Sequence, residues 1–362
     1  MTPQKTGNFQ KRLFFILIVL ILVLSSLNLA KAKGWLIPSQ KKIEIVDGTI
    51  KLRSMTLEQK IAQMVVVQGN AENMQAWKNL MPGGLHMFGR KSEHVFRNTI
   101  LDFQYNQSIP FFVTLDLEGC VNPFSYYRNF TPASAIENVG QAFSKGFEEG
   151  KYLREVGFSI NFAPVVDLRD DIWRCRSFSG DEQHVSELAE SYLLGLQAQG
   201  ILGTVKHYPG KTLIIKDPHK FIVAADIEAK DLYPYQYLLQ KKDAKAIMVS
   251  HIIASGAVDS AGVPAVVSEK VIGDLKKNFD GLIISDEINM LGLKDYYPNI
   301  DDMYIAVFKA GNDIVLNFNK DPNEIYRMIL VVKKAVEDDI IPEEQIDASV
   351  TKILKAKGFK VN

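Results

Sequence analysis

The chain has 362 residues, 47% of them hydrophobic and 23% charged, which is enough apolar mass for a large core and too much for a disordered or collagen-like chain. Lys plus Arg and Asp plus Glu both total 42, so no overall field draws nucleic acid or an anionic surface, and no nucleic-acid partner is expected. A neutral substrate and one large domain fit this balance, and no protein partner is inferred.

The N-terminus differs in kind. Lys5, Lys11 and Arg12 precede an unbroken apolar run, 13–24, followed by Ser25, Ser26 and then Ala30-Lys31-Ala32. The run is shorter than the roughly 20 residues of a full membrane span, so it reads as an export signal. It continues weakly through Leu27 and Leu29, and the alternative is an uncleaved transmembrane anchor over residues 13–30. Residues 1–33 are therefore set apart as signal or anchor. The body, 34–362, is placed outside the cytoplasm, whether secreted, periplasmic or membrane-anchored. The two cysteines, Cys120 and Cys175, then sit where a disulfide can persist, although the sequence by itself does not pair them. There is no CxxC or His-rich spacing, so zinc chemistry is not expected.

From about residue 51, short apolar runs alternate with longer segments of helical pattern. Candidate strands are 64–67, 84–88, 111–115, 160–166, 203–207, 246–250, 281–285 and 314–317. Amphipathic stretches such as 136–156, 185–199 and 303–310 are long enough for the crossovers that parallel strands require. Eight such units predict an α/β fold, a single-domain TIM-like (β/α)8 barrel, with a doubly wound sheet as runner-up. Several runs end in polar groups, namely Asp116, Asp167, Lys206-His207, Ser250-His251 and Asp286, at the strand ends where a barrel keeps its chemistry.

Two segments carry candidate chemistry. In Gly281-Leu-Ile-Ile-Ser-Asp286-Glu-Ile-Asn-Met290, an apolar strand delivers two consecutive carboxylates. Asp286 there is either a nucleophile for an anomeric carbon or the N-cap of a following helix. In Lys206-His-Tyr-Pro-Gly210, followed by Asp217-Pro-His219, an acid two residues before a histidine can orient an imidazole that titrates near neutral pH. The alternative is a solvated loop histidine.

The block Gly203-Thr-Val-Lys-His-Tyr-Pro-Gly210 with Asp217-Pro-His219 resembles the Lys-His-Phe-Pro-Gly…Asp-x-His signature of the β-N-acetylhexosaminidases of glycoside hydrolase family 3. Further blocks follow in that family's order: Met81-Pro-Gly-Gly-Leu-His-Met-Phe-Gly89, Leu115-Asp-Leu-Glu-Gly119, Asn161-Phe-Ala-Pro-Val-Val-Asp167, Arg176-Ser-Phe178, 246–251 and 281–290. The resemblance implies Asp286 as nucleophile, His219 and Asp217 as acid/base dyad, and Asp116, Arg176, Lys206 and His207 as ligands of the terminal sugar. It further implies a retaining hydrolase of terminal β-N-acetylhexosamine. An amino-sugar glycan or peptidoglycan fragment would be the substrate, and no cofactor is needed. Other histidines, His86, His94 and His184, read as surface or core residues, while His251 ends a strand and is a candidate support for Asp286 or the substrate.

The sequence departs from that pattern at two places. Cys120-Val-Asn-Pro-Phe124 stands where the family has Gly-Arg-Val-x-Arg, removing a binding arginine. Lys211-Thr212 follows Pro-Gly where the family has His-Gly, replacing a glycine suited to unusual backbone angles. Cys120 and Cys175 fall on two of the implied sugar-binding loops, so a disulfide between them is expected. The rivals are a β-glucosidase or phosphorolytic enzyme on the same scaffold, or a non-catalytic sugar-binding envelope protein.

Overall fold

The computed structural model describes residues 4–32, 37–38, 41–69, 71–214, 216–217 and 220–362, with 4–10 and 28–32 described as helix backbone only. Eight parallel strands form the core sheet: β1 (Val65–Gln68), β2 (Gly84–His86), β3 (Phe112–Leu115), β4 (Ile160–Asn161), β5 (Leu202–Tyr208), β6 (Ala246–Val249), β7 (Leu282–Ser285) and β8 (Val315–Asn317). Their spatial order is β7-β6-β5-β4-β3-β2-β1-β8. A parallel bridge between Ile284 and Ile314 joins the ends, so each strand neighbours its sequence successor around a closed barrel. All eight expected strands are present, and the doubly wound alternative falls. Strands such as β3, β6 and β7 are buried at every position, because the core and the helices cover both faces, and this is why they read as continuous apolar runs.

The crossover helices start where short polar side chains take up free backbone N–H groups. Asn138 accepts from Gln141 N, Asp181 from His184 N and Ser268 from Val271 N, opening Val139–Val156, Glu182–Ala198 and Glu269–Lys276. The first two of these helices approach backbone to backbone. A Cβ on Gly146 would lie 2.2 Å from Tyr192 O, and one on Gly195 would lie 2.4 Å from Phe143 O. Two features were not expected. A parallel ribbon pairs Ala224–Ile227 with Ile253–Gly256 beyond the ends of β5 and β6, and Thr49–Ile50 pairs with both Ile45–Val46 and Lys360–Val361.

The transmembrane reading is corrected. The N-terminal segment forms a helix, Gln4–Ala32, but no helix among the described residues is long and apolar enough to cross a membrane. Its unbroken apolar stretch, 13–24, is shorter than the roughly 20 residues of a full span, so a transmembrane anchor through residues 13–30 is not supported.

Candidate active site

The C-terminal ends of the strands bring together most of the expected residues. Asp116 and Glu118 follow β3 two positions apart, and both reach Lys206 on β5. Its Nζ lies 2.6 Å from Asp116 Oδ1 and 2.6 Å from Glu118 Oε1. Arg176 clamps the same Glu118 with two bonds, Nε to Oε2 at 2.5 Å and Nη2 to Oε1 at 2.9 Å. Burial opposes charge on both carboxyls, but the cations Lys206 first and then Arg176 outweigh it and hold both below the usual range. The same pairing raises Lys206 and Arg176 against burial. Asp116 keeps 31% of its side chain exposed, so its carboxylate remains open to the barrel mouth while Glu118 is sealed.

Each member of the cluster is held from behind. Asn161 on β4 accepts from Leu117 N and donates to Leu117 O, fixing the backbone between the two acids. Asp170 accepts from the backbone N–H groups of Trp173, Cys175 and Arg176, and the Arg176 guanidinium lies 4.6 Å over the Trp173 ring. Cys120 and Cys175 form the expected disulfide, with Cα atoms 6.1 Å apart, tying the loop after β3 to the loop after β4. His207 faces Asp167, Nδ1 to Oδ2 at 3.0 Å, with its Nε2 3.5 Å from Arg176 Nη2. His86 is buried under the site, its Nε2 3.6 Å from Asp116 Oδ2. Burial first, and then Lys206, lowers its pKa to about 4, so it is neutral at physiological pH. Its core placement agrees with the sequence reading.

Asp286 emerges at the end of β7, its own N–H bonded to Val249 O. The helix-cap alternative fails. Asp286 Oδ1 accepts from Glu287 N, while the next helix, Leu291–Tyr296, is entered through Met290. The second carboxylate turns away into structure. Glu287 Oε1 accepts from Asn289 N, Asn289 Nδ2 and Phe318 N, and burial raises its pKa. Asp217 lies on the loop after β5, with Lys220 Nζ 3.4 Å from its Oδ2. His219 lies outside the described residues.

Thr212 corrects one expectation. The glycine-favouring backbone falls on Gly210 (φ 108°) and Lys211 (φ 63°), whereas Thr212 is not in the left-handed region. Its hydroxyl donates to Asp167 Oδ2 at 2.7 Å and lies 3.1 Å from His207 Nδ1, so the substitution adds a polar brace rather than strain. Glu118 and Thr212 were not among the expected site residues, and Asp167 was expected only as a polar strand end with no role of its own. Glu118 and Asp167 lay within quoted blocks, and their buried partners are 58 and 40 residues away in sequence.

Residues 56–356 match the family described as "Glycosyl hydrolase family 3 N terminal domain". The chain belongs to glycosyl hydrolase family 3. Within the family it is 34% identical over 229 residues to "Beta-hexosaminidase" of Idiomarina loihiensis, covering 58% of this chain and 68% of that relative. It is 26% identical over 283 residues to "Beta-N-acetylglucosaminidase/beta-glucosidase" of Cellulomonas fimi, covering 72% of this chain but only 49% of that relative, about half its length. It is also 26% identical over 324 residues to "Beta-hexosaminidase LpqI" of Mycobacterium tuberculosis, covering 83% and 82%. The solved structure "M tuberculosis LpqI" superposes with a TM-score of 0.78 at 23% identity, covering 89% of this family 3 chain and 99% of that one, and so shares the barrel.

Proposed function

We propose that this family 3 chain is a retaining, exo-acting glycoside hydrolase that removes terminal β-N-acetylhexosamine, with N-acetylglucosamine on peptidoglycan fragments as the favoured substrate. One observation carries the reading. Two adjacent acids follow β7, Glu287 accepting from three N–H groups of the loops and Asp286 standing at the strand's C-terminal end, in the same barrel mouth as a charged cluster that leaves Asp116 accessible. Asp286 attacks the anomeric carbon while His219, oriented by Asp217, protonates the leaving oxygen. His219 then activates water, and two inversions give retention. Asp116, Arg176, Lys206 and His207 hold the terminal sugar, with Glu118 neutralising the two cations between them. The body, 34–362, acts outside the cytoplasm after export directed by 1–33, a compartment in which the Cys120–Cys175 bond persists.

The test is hydrolysis of an aryl β-N-acetylglucosaminide, with the aryl β-glucoside alongside and phosphate present or absent. Turnover of the amino sugar is expected, abolished by Asp286→Ala and reduced about 10²–10⁴-fold by His219→Ala. A folded protein that turns over neither glycoside would leave a non-catalytic sugar-binding role. A glycosyl phosphate product would move the assignment to phosphorolysis.

A further inference from the structure

We propose that the N-terminal face of the barrel, opposite the mouth, carries a groove that binds an extended phosphate-bearing polyanion. A cavity of about 630 Å3 opens there, at the starts of β6, β7 and β8, and its wall includes Lys242, Lys245, Lys276, Lys277 and Lys352. The acids in the same wall are Asp280 and Asp313. Asp313 is already engaged, accepting from Ile283 N at 2.9 Å, Ser349 Oγ at 2.8 Å and Lys352 Nζ at 3.2 Å. Lys352 is taken up by that same Asp313 and Lys277 by Asp274 at 2.6 Å, so Lys242, Lys245 and Lys276 remain beside one further carboxylate, Asp280.

This departs from the rest of the chain. With equal numbers of cations and anions overall, the protein pairs three lysines buried in its core with carboxylates: Lys60 with Glu343 and Asp347, Lys145 with Glu149, and Lys206 with Asp116 and Glu118. Lys276 has no carboxylate within ion-pair distance among the described residues. Burial, and then the charge of Lys352, lowers its pKa against the pull of Asp313. A partly buried cation held among like charges is a cost that a bound anion removes.

The shape and the residue type choose the ligand. A second cavity of about 750 Å3 shares Lys245, Asp280 and Lys352 with the first and continues to Lys355, past the starts of β3 and β5. Each volume suits a small molecule rather than a lone phosphate, and together they make a continuous track. The wall has lysines and no arginine. Lysines act as point charges on phosphate, whereas planar carboxylates favour the arginine fork. A chain of phosphodiester or phosphoanhydride units matches these features, and it would tether the enzyme without occupying its mouth. The inference is independent of the glycosidase reading.

The probe is long-chain polyphosphate, titrated against the full chain at low and high salt. The groove variant is Lys245→Gln with Lys276→Gln and Lys277→Gln. The charge-matched control is Lys42→Gln with Lys91→Gln and Lys151→Gln, three exposed lysines outside the groove. The groove variant is expected to bind at least tenfold more weakly with a shallower salt dependence, the control to stay within twofold, and glycoside turnover to be unchanged in both. Should the triple variant not fold, Lys245→Gln alone, at an exposed position, must still weaken binding more than Lys151→Gln does. Equal weakening in both sets would overturn the groove. So would orthophosphate binding as tightly as the polymer, which means a single-ion site, or capture of phosphatidylglycerol vesicles through these lysines without polymer binding.

Discussion

Replacing Glu118 with glutamine keeps the side chain's shape and removes its charge. The carboxylate takes two bonds from Arg176 and one from Lys206, and it is 2% exposed. Glutamine offers one acceptor oxygen, and its NH2 group must face one of the two cations. Lys206 retains Asp116, so the loss falls on Arg176, which is itself 7% exposed. Breaking one side of a buried pair costs about 3–5 kcal/mol, and the surviving amide contact returns about 1 kcal/mol, leaving a loss of about 2–4 kcal/mol. Urea unfolding at pH 7 should show the midpoint falling with the slope unchanged. The pH dependence has a fixed sign. A carboxyl held below its ordinary value of 4.5 contributes stability above that pH and loses it as pH falls through the lower folded value. The gap between wild type and Glu118→Gln should therefore narrow below pH 4.5. A loss under about 1 kcal/mol at pH 7, or a gap that persists unchanged at pH 3, would refute the ion-pair account.

Thr212→Val removes the hydroxyl that braces Asp167 beside His207 and should lower stability by about 1–2 kcal/mol, measured by urea unfolding. Cys120→Ser with Cys175→Ser opens a loop with a sequence separation of 55, for which chain entropy gives a loss of about 4 kcal/mol. A melting temperature unmoved by reductant in the wild type would contradict it. Lys357 sits 5.0 Å from the Phe112 ring, and burial lowers its pKa to about 7. Between that value and its ordinary 10.5 the unfolded chain binds more protons, so stability rises with pH across this window. Lys357→Met should flatten that rise and add about 1–3 kcal/mol at neutral pH, read from denaturation at pH 7 and pH 9.

The barrel was legible because its strands are covered on both faces, which leaves apolar runs long enough to see, several of them ending in a polar residue at the mouth. The extra ribbon was not legible, because Ala224–Ile227 alternates exposed and buried positions over four residues inside a loop with no pattern of its own. At the site, Asp116, Lys206, His207 and Arg176 were readable as residue types at matched spacings. The role of Glu118 was not, since it depends on Arg176 arriving from the loop after β4 and Lys206 from β5. Thr212 was read as a lost glycine because local sequence carries backbone preference. Its hydrogen-bond partner Asp167, 45 residues earlier, is visible only once the barrel closes.

That closure has a consequence for Asp286. Backbone bonds across the β7–β8 seam alternate with bonds from side chains: Asp313 accepts from Ile283 N, Ser285 Oγ from Leu316 N, and Glu287 Oε1 from Phe318 N. The last two of these stitches flank Asp286 directly in sequence. Loosening the seam would thus unlatch the carboxylate's own loop, so the barrel's final seal and the placement of Asp286 are a single mechanical element. Slow amide exchange at Leu316 and Phe318 should serve as a gauge of how firmly that residue is held.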